Sequence, residues 1–180
     1  LEMLHPELVI SARFSHIFTP AMLALVKHGI INIHPAALPS FAGLYGPMRT
    51  LAEGHDCFTC AVHLVDQGID SGPLLHVARL LIKPGEGLLH QIAEIYPLAI
   101  PYLRQAITHL AQGQTLVQVA QERSMRRYRS FPSPAEVAAF VAGGGRFWDA
   151  LPYQQLLQRF QPIPGLDFPR VGEIEEIRRR

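Results

Sequence analysis

Residues 30–39 read Ile-Ile-Asn-Ile-His-Pro-Ala-Ala-Leu-Pro, and a β-branched run of this kind after Gly29 predicts a short buried strand. Side chains alternate along a strand, so Asn32 and His34 share one face while the isoleucines pack on the other. Pro35 has no backbone N–H and therefore ends the ladder. We expect a polar asparagine and a titratable histidine at the carboxyl end of a parallel-type strand, where open α/β sheets bind their ligands.

A second informative stretch, residues 65–75, reads Val-Asp-Gln-Gly-Ile-Asp-Ser-Gly-Pro-Leu-Leu. Asp-x-Gly and Ser-Gly-Pro are turn signals, so Asp70 is expected in a tight loop between two apolar strands. The residues alone leave two interpretations open. Asn32 and His34 are either satisfied polar groups at a strand end or members of a site. Asp70 is either an Asx-turn aspartate that bonds its own backbone or a third member of that site.

Taken in order, three features resemble one known family. They are Asn-x-His-Pro-x-x-Leu-Pro at 32–39, Gly43 in the following loop, and Asp-x-Gly-x-Asp-x-Gly-Pro at 66–73. This ordered set resembles the 10-formyltetrahydrofolate-dependent formyltransferases, which include glycinamide ribonucleotide, methionyl-tRNA and amino-sugar formyltransferases. The resemblance extends over about residues 6–113 without a large gap.

The resemblance implies a Rossmann-like α/β formyltransferase fold with Asn32, His34 and Asp70 as its catalytic residues. It also implies a site for the co-substrate 10-formyltetrahydrofolate, and no metal. The residues that would border the folate are Arg13, Phe14, Ile17, Phe18, Leu38, Gly43, Val65, Asp66 and Gly68. For Arg13, the alternative is a charged side chain in a loop that faces solvent.

The reaction implied by the resemblance is transfer of a formyl group to a primary amine. Its tetrahedral intermediate carries an oxyanion, to which the Asn32 amide can donate a hydrogen bond. His34 can share that oxyanion or move a proton. Asp70 can hold His34 in one tautomer and raise its pKa, or take the amine proton through a water. Two alternatives remain: a formyltetrahydrofolate hydrolase (deformylase), and a non-catalytic folate-binding fragment.

The acceptor is expected to be a small amine, such as an amino sugar, by elimination. A purine-pathway enzyme would carry a phosphate-binding Gly-rich loop near its start, and the segment after Gln114 is short for the barrel of a tRNA formyltransferase. Residues 1–113 are expected to be the carboxyl-terminal half of the catalytic core, and 114–180 an extension with short helices and a flexible tail. Since the family begins with further strand–helix units, we expect a fragment or a chain completed by another chain. A homodimer is a possible oligomeric state of the chain, which the sequence does not decide.

Local signals predict the helices. Thr19 and Pro20 are expected to start a helix that runs to about Lys27. A long helical pattern over 88–112 contains Pro97 and Pro101, which are expected to break or bend it. Ser-Pro-Ala-Glu at 133–136 is a capping box. Residues 125–129 read Met-Arg-Arg-Tyr-Arg, which indicates a solvated strand or loop, with an RNA-binding patch as the alternative.

The composition is 48% hydrophobic and 17% charged, with a formal net charge of +1. This balance gives no case for nucleic-acid or membrane binding. No apolar run approaches the ~20 residues of a membrane-spanning helix. With two cysteines and no disulfide framework, a reducing cytoplasm is the simplest expectation. A zinc site from His55, Cys57, Cys60 and His63 is disfavoured, because a strand places the two cysteines on opposite faces.

Overall fold

The chain builds a four-stranded mixed sheet, flanked by helices and accompanied by a second sheet of two short strands. The computed structural model describes residues 3–149. The strands are β1 (Val9–Ala12), β2 (Ile30–His34), β3 (Ala42–Gly43), β4 (Cys57–Leu64), β5 (Leu74–Leu81) and β6 (Tyr128–Arg129). The helices are α1 (Pro20–Ala24), α2 (Gly46–Ala52), α3 (Leu88–Ile95), α4 (Ile100–Ala111) and α5 (Pro134–Ala142), with 3-10 turns at Tyr96–Ala99 and Arg123–Met125.

The main sheet has the order β1-β2-β4-β5. β2 runs parallel to β1, as expected of it, but antiparallel to β4 on its other side. In the register of β2 with β4, Asn32 lies directly opposite His63 and His34 opposite Ala61. The predicted α/β class is therefore confirmed, with a sheet that is mixed rather than parallel throughout.

The first helix begins where the sequence predicts and ends early. The Thr19 hydroxyl accepts from the Met22 N–H at 3.3 Å, with Pro20 in the first turn. The helix was expected to reach Lys27 but stops at Ala24. The N–H groups of Leu25 and Val26 bond only three residues back, which tightens the last turn and ends the α-helix.

The long helical pattern divides as predicted at Pro97. α3 ends at Ile95, the turn Tyr96–Ala99 follows, and α4 continues the chain. Pro101 does not break α4, because it lies in the first turn, where its missing N–H has no helical partner to lose. The predicted capping box at the start of α5 is also present, because the Ser133 hydroxyl and the Glu136 carboxylate each accept the other's backbone N–H.

The core lies between one face of the sheet and the helices that follow β5. Phe58, Ile31 and Ile95 are fully buried there, and Phe140 of α5 joins the same cluster. The described residues on both sides of Gly113 belong to one compact unit. The domain boundary expected after Gly113 stays a prediction. The expected flexible tail lies outside the described residues. Among the described residues, no helix is long and apolar enough to cross a membrane.

Replacing Phe58 with alanine is expected to lower the free energy of unfolding by about 3–5 kcal/mol, because the ring is fully buried and leaves a cavity. Phe131→Ala is the matched control, since Phe131 is 71% exposed and should cost no more than about 0.5 kcal/mol. Urea unfolding followed by circular dichroism compares the two. Equal costs would mean that Phe58 is not a core residue.

Candidate functional site

Four polar side chains meet at the carboxyl end of β2. Asn32 and His34 come from β2, His63 from β4, and Asp70 from the loop between β4 and β5. Asn32 Nδ2 lies 3.2 Å from His63 Nε2. The Asp70 carboxylate lies between the two imidazoles, with Oδ2 3.6 Å from His34 Nδ1 and Oδ1 3.5 Å from His63 Nε2. The structure thus brings the three predicted catalytic residues together and adds His63.

The loop carrying Asp70 is fixed by a bond to a second loop. Asp70 adopts a left-handed backbone, with φ +51°, and its Oδ2 accepts the Gly43 N–H at 2.8 Å. The Asx turn in this loop belongs to Asp66, whose Oδ1 accepts the Gly68 N–H at 3.0 Å and the Ser71 hydroxyl at 2.7 Å. The carboxylate of Asp70 therefore reaches out of its own loop into the site.

His34 is a neutral base aimed at a carboxylate. Its Nε2 lies 2.8 Å from the Phe41 carbonyl oxygen, which can only accept, so Nε2 carries the proton and Nδ1 faces Asp70 with its lone pair. Burial lowers the pKa of His34 below its ordinary value, and Asp70 opposes that shift without overcoming it. Asp70 raises the pKa of His34 as expected, but desolvation lowers it by more, so the pKa lies below its ordinary value.

Asp70 is the anion of the site. Burial alone would raise its pKa, but the neighbouring His63 and His34 and the Gly43 N–H together hold the pKa below its ordinary value. At neutral pH the site therefore contains an ionised carboxylate next to the unprotonated Nδ1 of His34. This arrangement can accept a proton at Nδ1 and stabilise the resulting imidazolium.

His63 orients the asparagine. Its Nδ1 lies 2.8 Å from the Leu64 carbonyl oxygen, so Nδ1 carries the proton and Nε2 accepts one amide hydrogen of Asn32. The second Nδ2–H of Asn32 remains for a ligand. The sequence indicated His63 only as a possible metal ligand. The signal that could have identified its role is the pairing of β2 with β4, which places His63 opposite Asn32.

The residues expected to border folate lie on three loops around the site. In the loop after β1, Phe14 and Phe18 stack with centroids 4.8 Å apart, and Ile17 is 68% exposed. Arg13 is exposed and lies close enough to Tyr96 to oppose the rise that burial causes in the pKa of that hydroxyl. The remaining positions follow β2 or β4: Leu38 and Val65 are half-buried, Gly43 bonds Asp70, and Asp66 and Gly68 form the Asx turn.

Gly43 is a position where a side chain does not fit. Its φ is +93°, and a Cβ would lie 2.1 Å from the Arg129 carbonyl oxygen of β6. Gly43→Ala is therefore expected to cost about 1–3 kcal/mol of stability, more than Gly85→Ala. Gly85 has a similar φ of +81° with open space around it, and so isolates the clash from the backbone strain. Thermal unfolding of both variants checks this, and equal costs would contradict the clash.

A cavity lies elsewhere in the molecule. It has a volume of about 480 Å³ and is lined by residues of α2, α5 and the segment after β5, including Arg49, Glu136 and Phe140. Arg49 is buried there, donates to the carbonyl oxygens of Leu44 and Ser130, and pairs with Glu136 at 3.5 Å. None of the four polar residues of the site lines this cavity.

Within residues 3–149, no group of three or more His, Cys, Asp or Glu side chains is arranged to hold a metal ion. Cys60 is buried in β4, which raises the pKa of its thiol to about 11, whereas Cys57 is half-buried. Residues 126–129 are not a free basic patch. Arg127 and Arg129 both pair with Glu53, at 3.2 and 3.0 Å.

Comparison with known proteins identifies relatives of this chain. Residues 1–94 match the family model described as formyl transferase. The chain is 44% identical over 88 residues to the phosphoribosylglycinamide formyltransferase of Mycobacterium tuberculosis, covering 48% of this chain and 41% of that protein. It is 28% identical over 165 residues to the methionyl-tRNA formyltransferase of Nitrosomonas eutropha, covering 92% of this chain and 50% of that protein.

The fold is also found among solved structures. The sugar 3N-formyl transferase WlaRD, crystallised in the presence of dTDP and 5-N-formyl-THF, superposes with a TM-score of 0.60 at 17% identity. The match covers 72% of this chain and 47% of that chain. The chain thus spans between two fifths and one half of the length of these proteins.

Proposed function

Because this chain belongs to the formyl transferase family, we propose that it transfers a formyl group from 10-formyltetrahydrofolate to the primary amine of a small acceptor. The observation that supports this most directly is the placement of Asp70 between His34 and His63, beside Asn32. A hydrogen-bond donor, a neutral base and a fixed carboxylate are the groups that acyl transfer to an amine requires.

We assign one task to each side chain. The second Nδ2–H of Asn32 donates to the formyl oxygen as negative charge develops there, and His63 holds the amide in that orientation. When the amine nitrogen bonds the formyl carbon and the bond from that carbon to folate nitrogen breaks, His34 Nδ1 accepts the amine proton. The same proton can then pass to the departing nitrogen, which balances the reaction. Asp70 stabilises His34 while it is charged.

The proposed identity of the acceptor comes from the sequence. An amino sugar is the first candidate by elimination. The curated relatives are named for phosphoribosylglycinamide and methionyl-tRNA, so these two acceptors belong in the same panel. The panel separates the three classes because each product carries the formyl group on a different amine.

The test is calorimetric titration with 5-formyltetrahydrofolate, a stable analogue of the donor. We expect micromolar binding by the native chain and by His34→Ala, since His34 acts on the transition state. Transfer assays with 10-formyltetrahydrofolate should then show product with the native chain and almost none with His34→Ala. His109→Ala, a histidine of α4 outside the site, is the control and should keep its activity.

Two outcomes would contradict the proposal. A chain that unfolds cooperatively but does not bind the analogue has no folate site of its own. Formate release that is equal with and without any amine of the panel would identify a hydrolase instead.

A further inference from the structure

We propose that residues 119–130, here called the strap, position Asp70 for the reaction, and that Gln121 is the positioning residue. The inference rests on the proposed function, in which Asp70 stabilises the proton on His34. The strap lies beyond residue 113, where the sequence predicted an extension separate from the catalytic core. Its backbone and side chains instead hold both loops that meet at Asp70.

The first attachment is to the loop that carries Asp70. Gln121 Nε2 donates to the Asp70 carbonyl oxygen at 3.0 Å and to the Gly72 carbonyl oxygen at 2.6 Å. Two carbonyl acceptors fix which end of the amide faces the loop, because an amide oxygen in that place would be repelled by both. The two bonds flank the residue whose backbone is left-handed, at φ +51°. Gln121 therefore stabilises the left-handed backbone of Asp70, a conformation that costs a non-glycine residue conformational free energy.

The same loop is held at two further points. Arg126 donates to the Ile69 carbonyl oxygen at 2.6 Å, on the residue before Asp70. Val119 and Leu74 exchange backbone N–H···O bonds of 2.8 Å in both directions, at the end of the loop. Three strap residues thus fix the backbone on both sides of Asp70.

The second attachment is to the loop that supplies the Gly43 N–H. β6 of the strap pairs with β3, placing Arg129 opposite Gly43. The Arg129 carbonyl oxygen accepts the Leu44 N–H at 2.8 Å, and the Arg127 N–H donates to the Pro39 carbonyl oxygen at 3.1 Å. Since the Gly43 N–H bonds Asp70 Oδ2, the strap positions both the carboxylate and its hydrogen-bond donor.

These contacts set the distance between Asp70 and the imidazole of His34. The hydrogen bonds of the strap go to the loop that carries Asp70 and to the loop that supplies the Gly43 N–H, so the strap acts through Asp70. Displacing a catalytic group by ~1 Å can cost on the order of 10²-fold in rate. We therefore expect the loss of the Gln121 bonds to reduce turnover while substrate binding is kept.

The test compares Gln121→Met with Gln118→Met. Methionine keeps the length of glutamine, is neutral, and removes both donors, whereas Gln118 is an exposed residue next to the strap. For Gln121→Met we expect kcat to fall about 10- to 100-fold with KM for the folate donor within about 2-fold. Gln118→Met should match the native chain in both constants.

The second readout is the NMR titration of the His34 imidazole, which does not require activity. The titratable groups that face His34 are Asp70 and His63; Asp70 raises the pKa of His34 and His63 lowers it. We expect the carboxylate to move away from His34 in Gln121→Met, which shifts the titration midpoint of His34 to lower pH. Gln118→Met should leave the midpoint unchanged. An unchanged midpoint together with a lower melting temperature would overturn the proposal, because it would leave Gln121 a merely structural role.

Arg126→Met provides an independent variant if Gln121→Met does not fold, and the same shift of the His34 midpoint is expected from it. An unchanged midpoint in a folded Arg126→Met would equally overturn the proposal. If the native chain transfers no formyl group, the proposed function fails, but the His34 titration still decides whether the strap positions Asp70.

Discussion

Asp70→Asn is expected to lower kcat for formyl transfer by on the order of 10³-fold. The substitution keeps the shape of the side chain and an oxygen that can accept the Gly43 N–H, but it removes the negative charge between His34 and His63. Without that charge, only the hydrogen bond to the Phe41 carbonyl oxygen opposes the lowering of the His34 pKa by burial, and the imidazolium formed during transfer loses its nearby anion. Loss of an aspartate that orients a catalytic histidine costs about 10⁴-fold in serine proteases.

The measurement is single-turnover transfer over a range of pH. The native chain requires ionised Asp70 and neutral His34, and both have a lowered pKa. Its activity should therefore persist below neutral pH and fall as His34 becomes protonated. Asp56→Asn, the same substitution at an exposed aspartate, is the control. A loss of less than about 10-fold in Asp70→Asn would show that the carboxylate is not part of the proton transfer.

Asn32→Ala is expected to lower kcat by about 10²–10³-fold, equivalent to about 3–4 kcal/mol of transition-state stabilisation. The variant lacks the amide hydrogen that we assign to the formyl oxygen, and it also leaves His63 Nε2 without its donor. Affinity for 5-formyltetrahydrofolate should change little, because the interaction strengthens only as the oxygen becomes negative.

Rapid-quench kinetics separates the chemical step from release of product. Ser11→Ala is the positional control, since Ser11 lies opposite Asn32 on β1 and is buried. It should retain activity within about 2-fold. Equal losses in the two variants would show that the effect comes from disturbing the sheet and not from the amide.

Those parts of the structure that depend on local chemistry could be predicted from the sequence. The β-branched run of β2, the start of α1 at Thr19, the break at Pro97 and the capping box at Ser133 all follow from a few adjacent residues. The Asp70 loop is of the same kind, because Gly and Pro specify its turns.

Other features depend on contacts between distant residues. The two-residue strands β3 and β6 are too short to carry a periodic signal, and they form only because Arg129 comes to lie against Gly43. His63 joins the site through the register of β2 with β4, which no local pattern encodes. The pKa of His34 depends on whether burial or Asp70 contributes more, and burial is known only once the chain is folded.

Glu53 makes the site sensitive to ionic strength. Its carboxylate holds Arg127 and Arg129, the residues around β6, through ion pairs that water and salt can reach. Dissolved salt screens such pairs, with a Debye length of about 8 Å at 0.15 M and about 3 Å at 1 M. The backbone bonds of β6 and the amide of Gln121 are neutral and respond far less. Added salt therefore weakens the attachment of the strap to the Gly43 loop, whereas the hydrogen bonds of Gln121 to the Asp70 loop persist.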